Sequence, residues 1–107
     1  MPVSRTADPV LARFRNAVVE AYGDRLERIV LFGSRARGDH GPDSDYDIAV
    51  FISGPGSLWE EAGVLAETED RILLDTGVVI NALPFPAGAY RARTAFMQGV
   101  RRDGLDL

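Results

Sequence analysis

Two aspartates two residues apart, Asp45 and Asp47, follow a glycine-serine pair, Gly33-Ser34, that ends an apolar run from Ile29 to Phe32. Residues two apart on a strand point the same way. If Tyr46 to Ile52 is a strand, both carboxylates share one face, continued by Ala49 and Phe51, while Ile48, Val50 and Ile52 take the other. Carboxylates projecting together repel. A hard divalent cation removes that conflict, and Mg²⁺ is commonly held by one or two carboxylates together with phosphate oxygens. Gly33 lets the backbone approach a ligand with no Cβ in the way. Ser34 brings a hydroxyl, and the N–H groups of the turn after it would face an anion. Arg35 and Arg37 add fixed positive charge suited to phosphate. A phosphate cradle beside a metal pair describes a nucleoside triphosphate site.

Other residues of this stretch have plainer readings. Asp39 and Asp43 flank Gly41-Pro42 and suit a turn. A calcium loop starting at Asp43 would need Gly sixth and Glu twelfth, but Ile48 and Gly54 stand there. The single histidine, His40, lies in the loop and cannot by itself make a histidine metal site.

The elements that must position these residues follow from caps and periodicity. Met1 to Ala7 reads as a loose end. Asp8-Pro9 starts a helix, with Asp as N-cap and Pro first. Phe14, Val18 and Tyr22 then recur at helical spacing, and Gly23 stops it. Arg25 to Phe32 is the first strand, followed by the Gly-Ser turn and one helical turn. Tyr46 to Ile52 is the second strand, ended by Ser53-Gly54-Pro55-Gly56. Ser57-Leu58-Trp59-Glu60 matches a capping box and opens a helix to about Asp75. Its apolar face is Leu58, Ala62, Leu65, Ile72 and Leu73; Glu60, Glu61, Glu67 and Asp70 are solvated. Gly77 to Leu83 is a third strand, broken by Pro84 and Pro86, and Ala87 to Arg102 is a last helix. The expected fold class is α/β (α+β): a small mixed sheet with helices on one side, the other side left as an open groove carrying the Asp pair.

The chain has 107 residues, which suits one domain able to bury its own core. It is 46% hydrophobic and 26% charged, globular rather than disordered values. The net charge of −4 argues against a broadly basic surface, so no nucleic-acid partner is expected. All 12 basic residues are Arg, which removes lysine chemistry, and the absence of Cys removes disulfides and thiolate zinc sites. No run approaches the roughly 20 apolar residues that span a membrane, and no leader pattern opens the chain. A cytoplasmic protein without a membrane partner is the expectation.

Gly33-Ser34, ten residues, then Asp45-Tyr46-Asp47 resembles the GS-x10-DxD signature of the minimal nucleotidyltransferase family, within the DNA polymerase β-like superfamily. The Gly-Ser-Arg-Ala-Arg-Gly and Asp-Ser-Asp-Tyr-Asp-Ile wording is typical of the minimal type, and the ending Gln98 to Leu107 resembles its closing segment. The resemblance covers most of the chain and implies one minimal nucleotidyltransferase domain over residues 1–107. It implies ATP as substrate, its triphosphate on Gly33, Ser34, Arg35 and Arg37, with Mg²⁺ on the catalytic pair Asp45 and Asp47. The family often carries a third carboxylate on the third strand. By order along the chain Asn81 stands there, and an amide cannot act as a general base. Family members frequently pair with HEPN-domain ribonuclease toxins in heteromeric complexes, some transferring AMP onto a toxin tyrosine. The resemblance therefore implies a protein adenylyltransferase antitoxin, or a weakly active one that neutralises its HEPN partner by binding alone.

Overall fold

The computed structural model describes residues 8–54 and 56–107. The expected loose end, Met1 to Ala7, lies outside them, as does Pro55 of the expected turn. The elements run α1 (Pro9–Tyr22), β1 (Leu26–Phe32), α2 (Ser34–Arg37), β2 (Tyr46–Ile52), α3 (Leu58–Thr76), β3 (Ile80–Pro86), α4 (Ala95–Asp103) and β4 (Leu105–Asp106). They make an α/β fold with a mixed four-stranded sheet in the order β3-β2-β1-β4. β1 is antiparallel to β2 and to β4, and β2 is parallel to β3.

The caps form where the residue types demand them. Asp8 Oδ1 accepts the N–H groups of Val10 and Leu11 at 2.9 and 3.3 Å, closing the start of α1. Ser57 Oγ accepts from Trp59 N–H at 3.2 Å to open α3. α1 and α3 cover one face of the sheet, where Leu11, Phe14, Val18, Leu65 and Ile72 bury against Ile29, Leu31, Ile48, Val50 and Ile80.

Five expectations are corrected. The helices are not all on one side: α4 lies across the opposite face, where Met97 and Val100 pack on Val30, Ala49 and Phe51. Among the described residues, that face is left exposed at the end of the sheet that carries the aspartates. The last helix is also two pieces, a 3-10 turn Ala87–Arg91 and α4, because Thr94 caps a new start by accepting Met97 N–H at 3.1 Å.

β3 is not broken at Pro84 but runs through Pro86. It is an edge strand, and Ala82 N–H points outward to Glu69 Oε1 at 3.1 Å. Backbone direction alternates along a strand, so Pro84 and Pro86 fall on the same outward parity. There the missing N–H forfeits no ladder bond.

Glu61, expected in solvent, is instead 6% exposed and sits 3.4 Å from the Arg25 guanidinium, which also donates to Ser53 O at 3.0 Å. Leu58 and Leu73, expected to bury, stay more than two-fifths exposed.

Candidate active site

β1 delivers the corner, β2 carries Asp47, and Asp45 stands immediately before β2. Phe32, the last residue of β1, lies opposite Asp47 in the antiparallel register, so Gly33 turns directly beside that carboxylate. Gly33 has φ +74°, a left-handed conformation glycine adopts without strain. A Cβ there would stand 2.6 Å from Asp47 Oδ2, so the turn can meet the acid only with no side chain. Gly33 O then accepts Ala36 and Arg37 N–H at 3.1 Å each, winding α2. As the first positions of that turn, Ser34 and Arg35 have N–H groups without an intrahelical acceptor.

β3 supplies the third side. Asn81 pairs with Asp47 in the parallel register. Its Nδ2 donates to Asp45 Oδ2 at 3.1 Å and to Asp47 Oδ1 at 3.4 Å. Both facing atoms are carboxylate acceptors, so the amide must turn its NH₂ toward them. Asp45 and Asp47 thus converge on one point, the shared face that their spacing predicts.

This donor set fits Mg²⁺ in one respect and limits it in another. Two convergent carboxylates are hard oxygen ligands of the type that ion takes, with substrate phosphates completing its shell. Among the described residues no group of three or more Asp, Glu, His or Cys could hold a metal, so the protein alone offers no full cage.

Between the two acids, Tyr46 points the other way, into the α1 side of the core. Its hydroxyl donates to Asp8 Oδ2 at 2.6 Å, so one carboxylate both caps α1 and anchors the acid-bearing strand. Burial, then the hydrogen bond to Asp8 and the charge of that carboxylate, push the Tyr46 phenol up to about 12.

The two arginines part company. Arg35 stacks its guanidinium 4.0 Å over the Tyr46 ring and donates to Ser44 O at 2.8 Å and Pro42 O at 3.4 Å. That is the face opposite the acids. Arg35 therefore braces the Asp39–Ser44 loop, with its guanidinium on the side of Tyr46. Arg37 pairs with Asp39 at 3.2 Å and lines a recess of about 320 Å³ beside Gly33. Phe96 and Arg102 of α4 line it too, and sequence reasoning missed both as site residues. The available signal was β2 itself, apolar on both faces and so requiring cover on both.

The nucleotidyltransferase domain family matches residues 11–97. The chain belongs to that family. Two proteins of Methanocaldococcus jannaschii are similar to this nucleotidyltransferase, and each bears the name "Putative protein adenylyltransferase". MJ0141 is 24% identical over 92% of this chain and 95% of its own. MJ0604 is 36% identical over 71% of this chain and 70% of its own. Solved structures share the fold of the nucleotidyltransferase. A Sulfolobus solfataricus protein described as a putative nucleotidyltransferase superposes with TM-score 0.64 at 19% identity, covering 91% of this chain and 75% of its own. A chain from a toxin-antitoxin crystallised with AMP-PNP gives TM-score 0.58 at 21% identity, covering 87% and 68%. One from a mutant of the toxin-antitoxin MntA-HpeT gives 0.59 at 18%, covering 87% and 70%. Among the described residues no helix is long and apolar enough to cross a membrane.

Proposed function

We propose that this nucleotidyltransferase is a Mg²⁺-dependent protein adenylyltransferase that moves AMP from ATP to a hydroxyl of a HEPN-domain toxin, acting as its antitoxin. The observation that carries the reading is the convergence of Asp45 and Asp47 beside the Cβ-free corner at Gly33. The names of the two archaeal relatives and the toxin-antitoxin neighbours, one with AMP-PNP, support the protein acceptor and the nucleotide.

In this reading Asp45 and Asp47 hold Mg²⁺, which when bound offsets charge on the triphosphate and the leaving pyrophosphate. Gly33 gives the phosphates room, and Ser34 and the turn's free N–H groups orient them. The acceptor oxygen bonds to the α-phosphorus as the bond from that phosphorus to the β-phosphate oxygen breaks, releasing pyrophosphate. Asn81 carries no basic atom, so the acceptor's proton leaves to water or to a group of the partner. Mixing the chain with its toxin, ATP and Mg²⁺ should add the mass of AMP to the toxin, and Asp45→Asn with Asp47→Asn should abolish the gain. No gain in the wild type sinks the enzymatic reading.

Asn81 also favours a second reading, in which the chain neutralises the toxin by contact alone. Cells protected from the toxin by the Asp double variant would decide for it.

A further inference from the structure

The face that carries Asp45, Asp47 and Asn81 continues into an apolar surface. Leu83 follows Asn81 by two residues on β3 and so shares its face. Phe96 stands in the first turn of α4. Both are large apolar side chains left 42% and 44% exposed beside the site. Phe96 is nevertheless fixed. The Phe32 ring meets it edge-on with centroids 5.4 Å apart, and the Phe85 ring lies 5.7 Å away, tilted by 35°. Phe32 is both the residue before Gly33 and the register partner of Asp47. An aromatic ring held by two others therefore presents itself next to the Gly-Ser corner.

That ring borders the recess whose walls include Phe32, Gly33, Arg37, Gly99 and Arg102. Asp103 also lines the recess, and Arg102 takes its carboxylate at 3.2 Å. At about 320 Å³ the recess is at the small end of ligand sites. Arg37 and Arg102 flank it, each ion-paired with an aspartate, and Phe32 and Phe96 are among its walls. An occupant that is anionic at one end and flat and apolar at the other matches both features. Gly33 itself lines the recess, so a base attached to phosphates held at that corner would lie beside it.

Resting on the reading of the site as a nucleoside triphosphate site, we propose that Phe96 is the platform on which the nucleotide base stacks. The sugar and phosphates run from there across Gly33 to Asp45 and Asp47. Titration calorimetry of the full chain with Mg²⁺ tests this, using ATP and inorganic tripolyphosphate as separate probes. ATP should bind more tightly than tripolyphosphate. Phe96→Ala, and Phe96→Leu, which keeps the packing on Phe32 and Phe85, should weaken ATP by about five- to a hundredfold, the range of base–aromatic stacking. Tripolyphosphate should be unaffected, and Phe96→Trp should retain ATP affinity. Equal wild-type affinity for the two probes would overturn the platform, as would equal loss of both in the variants. Unchanged ATP binding in both variants would also overturn it and would leave the ring to an apolar segment of the acceptor. Failure of the wild type to bind either probe would instead bring down the triphosphate reading beneath it.

Discussion

Asn81 decides how this site differs from one with a full set of acids. Its amide donates to both carboxylates at 3.1 and 3.4 Å, so the protein supplies its own partner for the acid pair. The same amide leaves the site without a proton acceptor on β3. Asn81→Asp separates these two consequences. A third carboxylate on the register partner of Asp47 provides a base, and general-base catalysis contributes about 10²–10⁴-fold. Single-turnover AMP transfer should therefore rise about a hundredfold or more. The variant also loses the amide donor and crowds three like charges together, so its melting temperature in EDTA should fall and Mg²⁺ should restore it. An unchanged rate with intact metal binding would mean that the proton leaves by a route that never touches this strand.

Among the elements, β3 shows how a local rule can mislead. Proline was expected to end the strand, and Pro84 and Pro86 do not end it, because alternation turns their missing N–H groups outward on an edge. Sequence alone does not say which strand lies at an edge or which parity faces out. Glu69 completes the device by capping Ala82 N–H, which leaves this edge poor in donors for a foreign strand. The start of α1 at Asp8, the corner at Gly33 and the strand from Tyr46 were legible because each rests on a cap, a turn or a short-range alternation. α4 over the acid face and the two-residue β4 were not. One depends on which sheet face still needs cover, the other on a segment too short to show a period. Glu61 was misplaced because helical spacing cannot foresee an arginine arriving from β1's leading end.

Glu69 supplies a prediction at this scale. Burial holds its carboxyl above the usual range, against the hydrogen bond from Ala82 that pulls it down. A raised carboxyl contributes most when protonated, below the ordinary value, and that contribution is lost as pH rises through the raised one. Glu69→Gln keeps an acceptor for Ala82 and drops the half-buried charge. It should be at least as stable as wild type in urea at pH 7, with the advantage vanishing in acid, where the carboxyl is protonated in both folded and unfolded chains. Glu69→Ala leaves the N–H without its acceptor and should cost about 1 kcal/mol or more. A glutamine variant weaker than wild type at pH 7 would show the charge to be stabilising.

At the scale of the whole molecule the sheet is a septum between two cores, and the site sits where neither core covers it. α1 and α3 fill one side, α4 and the 3-10 turn the other. Tyr46 connects the larger core to the site, since its ring faces α1 while Asp45 and Asp47 beside it face the opposite way. Tyr22 closes the far end of α1, donating to Glu61 O at 3.3 Å, and its phenol is raised by burial first and by Glu61 next. The direction for stability follows from the raised values. Unfolded phenols titrate near 10 and folded Tyr46 near 12, so the contribution is complete below about pH 10 and is lost as pH climbs toward 12. The chain has no Lys and no Cys, so the alkaline loss falls on the phenols that burial raises, Tyr46 and Tyr22. The urea midpoint should hold steady to about pH 9.5 and then fall steeply. Tyr46→Phe should cost about 0.5–1.5 kcal/mol at neutral pH through the lost bond to Asp8, and should flatten part of the alkaline fall. Because the phenol of Tyr46 ties α1 to the strand at whose start both acids stand, Mg²⁺-dependent nucleotide binding should fail over the same alkaline window in wild type and persist further in the phenylalanine variant. A variant that loses stability at high pH as steeply as wild type would place the alkaline weakness elsewhere and remove Tyr46 from the connection between core and site.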